Sequence, residues 1–230
     1  QVEIGMTDIV VSWKNVRLTK ADVDLFQDGC WLNDECITFV FEYMSNQMGP
    51  EAMQHALLMD ASTAFWLMHE DDIEELADAA ASLELSNKEL IICPLNDNTD
   101  VSSPAGGAHW SLLVASRTGA GTFEFDYYDS LDSGSNLRSG RLLAQKLQLA
   151  SQPEASSTAG QCPELRVVRT AKQTNSCDCG VYVLLFAEAV LNGYLAGKPP
   201  AGLLEFTQVD AGRKRRAALD AVRLAAQSQK

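Results

Sequence analysis

The sequence lacks a long apolar run, a secretory signal pattern and an excess of basic residues. No run of about 18 apolar residues occurs in the 230-residue chain, so we expect no membrane-spanning helix. The first twenty residues show no basic start followed by an apolar block, which is the pattern of a secretory signal. Lys and Arg (18 residues) are outnumbered by Asp and Glu (31 residues), and the net charge is -13. We therefore expect no binding to nucleic acid or to a membrane, because anionic phosphates are bound by clustered cations.

The chain also lacks any pair of cysteines at C-x-x-C spacing. Six cysteines in a chain of this length, without a secretory pattern, are typical of reduced thiols, so we expect a cytoplasmic or nuclear protein. A zinc site on Cys177 and Cys179 needs two further ligands, and a redox pair is normally C-x-x-C, so both interpretations have weak support. We expect no metal and no other cofactor. The remaining cysteines are Cys30, Cys36, Cys93 and Cys162.

The order of the predicted elements indicates an α+β fold in a single domain over residues 1–230. Apolar residues recur at helical spacing after Asn33 or Asp34, either of which can cap that helix. Short, apolar, β-branched runs in the middle of the chain predict strands, at 89–96, 109–116 and 122–129. From Cys179 onward, "CGVYVLLFAEAVLNGYLAG" is apolar nearly all round, which predicts a central buried helix.

The sole basic run, "RKRR" at 213–216, has two interpretations. Short runs of Lys and Arg serve as nuclear addresses in some proteins. The same run begins a helical pattern of apolar residues, which equally predicts the solvated start of a last, docked helix. The sequence alone leaves both interpretations open.

Two predicted strands flank a Gly-rich turn and suggest a paired histidine and carboxylate. A hairpin centred on Gly119 would place His109 directly opposite Asp129, with about 5 Å between their Cβ atoms. A carboxylate there can accept the imidazole N–H and favour the protonated ring. An isolated histidine would more simply be a core residue with a satisfied hydrogen bond, but the acid at the matching position favours the paired interpretation.

Cys179 stands at the predicted amino terminus of the buried helix. Exposed N–H groups and the helix dipole favour a thiolate there, and a protonated His109 nearby would complete the ion pair used by cysteine hydrolases. Cys177 lies in the preceding loop without the helix, and we expect it to be a spectator. Gln173, six residues before Cys179, has a side-chain amide that can donate to an oxyanion together with the backbone N–H of Cys179.

Four separated stretches, "WLND", "GGAHWSLLV", "YYDS" and "QTNSCDCGVYV", together resemble one family. In order and spacing they are similar to the Ulp/sentrin-type cysteine proteases, which remove ubiquitin-like modifiers from proteins. The resemblance spans residues 31 to 181. It implies a papain-like α+β fold with a mixed central β-sheet and the nucleophile at the start of a buried helix.

The resemblance also implies a role for each matching residue. Cys179 would be the nucleophile, His109 the general base and acid, and Asp129 the residue that orients the histidine. Gln173 would donate to the oxyanion. A second set would bind the substrate: two indoles would close a tunnel that admits only a Gly-Gly tail, and a carboxylate would face a tail arginine. These substrate-binding residues are Trp31, Trp110 and Asp34.

Within the family, the chain looks most like the branch that acts on the neddylation modifier, as "NDNTD" at 96–100 and "GGAHW" suggest. The expected reaction is hydrolysis after a Gly-Gly terminus by a monomer whose partners are modifier conjugates. Three alternatives stay open: a SUMO-directed protease with the same residues, an acetyltransferase on the same scaffold, and a non-catalytic modifier-binding module. The intact catalytic set argues against the last.

Overall fold

The computed structural model describes residues 9–100, 106–119, 122–151, 163–198 and 204–229. Helices and strands alternate irregularly along the chain, which confirms the predicted α+β class. The strands are β1 (Ile9–Trp13), β2 (Val16–Thr19), β3 (Ala56–Leu58), β4 (Leu90–Asn96), β5 (Trp110–Arg117), β6 (Phe123–Tyr128) and β7 (Leu165–Val167). The helices are α1 (Lys20–Asp24), α2 (Asp34–Met53), α3 (Ala61–His69), α4 (Ile73–Ser82), α5 (Leu137–Ser151), α6 (Cys179–Leu195) and α7 (Gln208–Gln227).

The main sheet is mixed and has the strand order β3-β4-β5-β6-β7. Its centre, β4 to β6, is antiparallel, and each outer strand runs parallel to its neighbour. β1 and β2 form a separate hairpin. The mixed central sheet inferred from the resemblance is therefore present.

The sheet is covered by helices on both faces, because its central strands are apolar on both sides. Along β4, Leu90 and Ile92 pack into one core with α2, α6 and α7, whereas Ile91 and Cys93 pack into a second core with α3, α4 and α5. This division follows from the alternation of side chains along a strand. Among the described residues, no helix combines the length and apolarity that a membrane crossing requires.

The predicted register of the β5–β6 hairpin is wrong by two residues. Leu112 lies opposite Tyr128, whereas a hairpin centred on Gly119 would place it opposite Asp126. An even shift leaves each side chain on its predicted face, because the pleat repeats every two residues. The two predicted partners lie just outside the paired strands, since β5 begins after His109 and β6 ends before Asp129.

The basic run 213–216 does not form a solvated helix start. α7 begins earlier, at Gln208, after an N-cap and capping box at Thr207. Lys214 and Arg215 face the protein interior and are buried. The apolar residues three and four positions away on the same face explain this, since they turn these two long side chains toward the core.

The other sequence expectations concern caps and cysteines. Asn33 is the residue that caps α2, and its side chain accepts a hydrogen bond from the N–H of Cys36 at 2.9 Å. The buried helix begins at Cys179, as predicted. All cysteines in the described ranges are free thiols, and Cys162 lies outside those ranges.

Candidate active site

Cys179 is the first residue of α6 and is almost completely buried, with 2% of its surface exposed. The next residue, Gly180, permits a close approach of the neighbouring elements. A Cβ atom there would lie 3.1 Å from the Cβ of Leu32 and 3.5 Å from Cδ1 of Trp110. The glycine therefore lets the indole of Trp110 and the backbone around Leu32 pack against the turn that carries the sulfur.

His109 and Asp129 form a buried pair, with 2.8 Å between Nε2 and Oδ1. The carboxylate also accepts hydrogen bonds from the backbone N–H groups of Leu131 at 2.9 Å and Gly134 at 3.1 Å, and from the hydroxyl of Ser133 at 3.1 Å. Burial raises the pKa of Asp129, but the hydrogen bonds from His109 and these backbone groups outweigh it and hold the pKa well below its usual range. Asp129 is thus an ionised partner for the imidazole.

The remaining ring nitrogen of His109, Nδ1, is buried and has no hydrogen-bond partner among the described residues. Burial lowers the pKa of His109, but the hydrogen bond to Asp129 and the interaction with Cys179 outweigh it and raise the pKa to about 9. The imidazole therefore binds a carboxylate through Nε2 and also interacts with Cys179. The structure brings together three of the predicted catalytic residues.

Gln173 lies in the turn before α6, and both ends of its side-chain amide are oriented by neighbours. Its Oε1 accepts a hydrogen bond from the hydroxyl of Ser130 at 2.6 Å, and its Nε2 donates to the carbonyl of Asn175 at 2.6 Å. A primary amide has two N–H groups, so one remains for a further acceptor. The geometry is compatible with an oxyanion donor beside Cys179.

The three predicted substrate-binding residues share one groove with His109. The groove has a volume of about 520 Å³ and lies between the start of α2, the helix α3 and the segment before β5. Trp31 is 45% exposed, and the indole N–H of Trp110 donates to the carbonyl of Leu32 at 2.9 Å. Further groove residues include Asp34, Ala61, Phe65, Met68, Asn96, Gly107 and His109.

Three of the other free cysteines, Cys36, Cys93 and Cys177, have thiol pKa values raised by their surroundings. Burial raises the pKa of Cys36 to about 12 and also raises that of Cys93. Burial and the neighbouring carboxylate of Asp178 raise the pKa of Cys177. The raised pKa of Cys177 agrees with the prediction that this residue is a spectator.

Two residues that the sequence analysis did not single out, Asp97 and Asn136, form hydrogen bonds with the backbone of His109. The carboxylate of Asp97 accepts hydrogen bonds from the N–H groups of Ala108 at 2.5 Å and His109 at 3.0 Å. The buried side chain of Asn136 donates to the carbonyl of His109 at 3.3 Å and to the hydroxyl of Ser111 at 2.9 Å. Asp97 lies within the quoted "NDNTD" stretch, so a signal was present, but nothing in its spacing indicated this contact.

A carboxylate, an imidazole that lines a groove and a cysteine at a helix start are the arrangement of a cysteine hydrolase. Residues 30–221 match the family model described as Ulp1 protease family, C-terminal catalytic domain. The chain belongs to this family, and it is a cysteine peptidase with the predicted fold.

Individual relatives agree with this membership, and a solved structure has the same fold. The chain is 33% identical to NEDD8-specific protease 1 of Arabidopsis thaliana over 190 residues, which cover 83% of this chain and 78% of the relative. It is 29% identical to human sentrin-specific protease 8 over 189 residues, which cover 82% and 84%. The yeast Ulp1 protease domain, solved in complex with the SUMO orthologue Smt3, superposes with a TM-score of 0.68 at 22% identity and covers 95% of this chain and 88% of that one.

Proposed function

We propose that this protein hydrolyses the peptide or isopeptide bond after the Gly-Gly terminus of the neddylation modifier. The observation that carries the proposal is the groove in which Trp31 and Trp110 lead to His109 and its carboxylate partner. Relatives that match more than three quarters of the chain are named for NEDD8 specificity, which supports this modifier. The partners would be the modifier and its conjugates.

In the proposed mechanism, the sulfur of Cys179 attacks the carbonyl carbon of the last glycine. The imidazolium of His109 then protonates the departing amine, which releases the conjugated protein and leaves a thioester. In the second half, His109 accepts a proton from the water that hydrolyses the thioester. Asp129 holds the ring in the required tautomer throughout, since it accepts from Nε2 and leaves Nδ1 toward the sulfur.

The free N–H of the Gln173 amide and the backbone N–H of Cys179 would stabilise the oxyanion of both tetrahedral intermediates. The contact with Ser130 supports this role, because it fixes which end of the amide carries the donor. An amide whose donor end is already oriented loses little entropy when the oxyanion forms.

Selectivity for glycine would come from the two indoles. A residue with a Cβ atom would need more room than two indoles closed over the tail would leave, whereas Gly-Gly could pass. Asp34, at the start of α2 and in the same groove, would pair with an arginine of the modifier tail.

A SUMO-specific protease is the second candidate. It is favoured by the similarity to a Ulp1 domain solved with Smt3. The same catalytic residues would serve both substrates, so the choice between modifiers depends on the tail and on surface contacts.

We also propose that residues 1–230 form one protease domain that acts as a monomer. The family match over 30–221 and the single central sheet support one domain. A cytoplasmic or nuclear location is proposed from the reduced cysteines of the sequence.

The decisive experiment uses three matched probes, in which NEDD8, SUMO or ubiquitin carries an electrophile at its carboxyl terminus. We expect a covalent adduct with the NEDD8 probe, its loss in Cys179→Ala and its retention in Cys177→Ala. An adduct with the SUMO probe alone would support the second candidate, and the absence of any adduct with the folded protein would contradict both.

A further inference from the structure

The basic run 213–216 places a buried guanidinium against the turn that precedes the candidate nucleophile. Arg215 lies on the inner face of α7 and is 3% exposed, whereas its neighbours Arg213 and Arg216 are exposed. Buried arginines are retained when an opposite charge and several acceptors satisfy them. The hydrogen-bond partners of Arg215 therefore indicate which parts of the protein α7 stabilises.

The guanidinium binds one carboxylate through two of its nitrogens. Nε and one terminal nitrogen both donate to Oδ1 of Asp178, at 2.9 and 2.6 Å. The terminal nitrogens also donate to backbone carbonyls at 2.6 to 3.4 Å, and these belong to Leu25, Gln27, Cys30 and Cys177. Every side of this planar group has an acceptor, which a lysine could not reproduce.

Asp178, the main partner, directly precedes Cys179 and is itself buried. Its other oxygen accepts hydrogen bonds from Nδ2 of Asn175 at 2.8 Å and from Nε2 of Gln208. Burial raises the pKa of Asp178, but the hydrogen bonds from Asn175, Arg215 and Gln208 outweigh it and lower the pKa. The pair is thus ionised and connects α7 to the turn before α6.

The two segments joined by Arg215 carry different halves of the site. The turn 175–178 leads into Cys179, and the carbonyl of Asn175 in this turn accepts the Gln173 amide. The loop that ends at Cys30 leads into Trp31, which lines the groove. The groove wall and the nucleophile are far apart in sequence, and the guanidinium of Arg215 hydrogen-bonds to both segments.

We propose that Arg215 is a positioning residue, which holds the loop before Trp31 at a set distance from the turn before Cys179. A Gly-Gly tail held under Trp31 then presents its carbonyl carbon to the sulfur. The proposal rests on the proposed function, since it assigns Trp31 to the tail and Cys179 to the attack. A misplacement of about 1 Å between tail and sulfur would cost up to roughly 100-fold in rate.

The test compares two reactions of the same sulfur in Arg215→Lys. Hydrolysis of a NEDD8 fusion needs the groove wall and the nucleophile in alignment, whereas alkylation of Cys179 by iodoacetamide needs the nucleophile alone. We expect kcat/KM to fall by about 10- to 100-fold and the alkylation rate to change by less than about threefold. Both rates are measured below the unfolding transition of the variant, located by circular dichroism. Arg216→Lys, the same exchange at an exposed neighbour, is expected to leave both rates unchanged.

The result that overturns the proposal is an equal fall of both rates, or an unchanged kcat/KM. If Arg215→Lys fails to fold, Asp178→Asn takes its place, because it keeps the side-chain shape but removes the charge and replaces one of the two acceptor oxygens by a donor. The same split between the two rates, by about 3- to 10-fold, is then expected, and its absence overturns the proposal. Hydrolysis by the wild type and its loss in Cys179→Ala are measured first, so a failure of the proposed function is recognised separately.

Discussion

The carboxylate of Asp129 accounts for the protonation state of the candidate site. Five donors converge on it, from Tyr127, His109, Leu131, Ser133 and Gly134, and together they compensate its removal from water. A carboxylate that stays ionised in a buried position stabilises an imidazolium beside it. The general acid of the proposed reaction, the imidazolium of His109, is thus already protonated before the substrate binds.

The pH dependence of kcat/KM should depend on the His109–Asp129 pair. The pKa of His109 is raised from its ordinary value of 6.5 to about 9, so the imidazolium that protonates the leaving amine is lost only as the pH rises through about 9. We expect kcat/KM to fall above that pH. In Asp129→Asn the fall should begin at a lower pH, because the stabilising negative charge is gone. A basic limb at the same pH in both proteins, measured in steady-state assays, would contradict the assignment.

The oxyanion donor can be tested against the nucleophile. Gln173→Ala removes one donor, which typically lowers kcat by about 10²- to 10³-fold, whereas Cys179→Ala should be inactive. Ser130→Ala, which only frees the orientation of the Gln173 amide, should have a smaller effect than Gln173→Ala. Turnover of a NEDD8 fusion measures all three, and equal residual activity in Gln173→Ala and Cys179→Ala would be inconsistent with these roles.

At the scale of elements, the segment between β4 and β5 positions His109 through its backbone. Gly107 has φ of +90°, and a Cβ atom there would lie 1.8 Å from Oδ1 of Asn96. This conformation and this close contact require glycine. They allow Asp97 to reach the N–H groups of Ala108 and His109.

Gly107→Ala should therefore disturb both stability and catalysis. The strained backbone and the collision are expected to cost about 1 to 3 kcal/mol of unfolding free energy, and kcat/KM should fall because His109 loses its backbone anchor. Gly119→Ala is the matched control, since a Cβ atom there meets nothing within 4 Å. Chemical denaturation and steady-state assays measure the effects, and equal behaviour of the two variants would refute this role for Gly107.

At the scale of the whole molecule, the main sheet separates two hydrophobic cores, one on each of its faces. One face carries α6 and α7, which bear Cys179 and Arg215, and the other face carries α3, α4 and α5. Leu147 of α5 is fully buried in the second core, and α5 lies outside the groove. Leu147 therefore supports the sheet from a position outside the groove.

Leu147→Ala should lower stability and leave catalysis intact. A buried leucine replaced by alanine typically costs about 2 to 5 kcal/mol of unfolding free energy, because a cavity is left in the core. Below the unfolding transition, kcat/KM should match that of the wild type. Urea denaturation and steady-state assays test this, and a large loss of kcat/KM in the folded variant would show that the two cores are coupled.

The sequence by itself determined the α+β class, the buried helix behind Cys179 and the identity of the candidate catalytic residues. These depend on local pattern: apolar periodicity, and side-chain chemistry within short motifs. The hairpin register was predicted incorrectly by two residues, because a Gly-rich turn is compatible with more than one loop geometry and does not specify the pairing.

Only the tertiary structure decided the contacts that support the site. Arg215 contacts Asp178, 37 residues away, and the carbonyl of Cys30, 185 residues away, and Asn136 contacts the carbonyl of His109, 27 residues away. Such contacts depend on where separate elements pack, and the basic run 213–216 looks like a solvated segment until its helix is docked. The physical reason is that burial, which makes these polar groups bind one another, is a property of the folded chain and not of any short stretch of it.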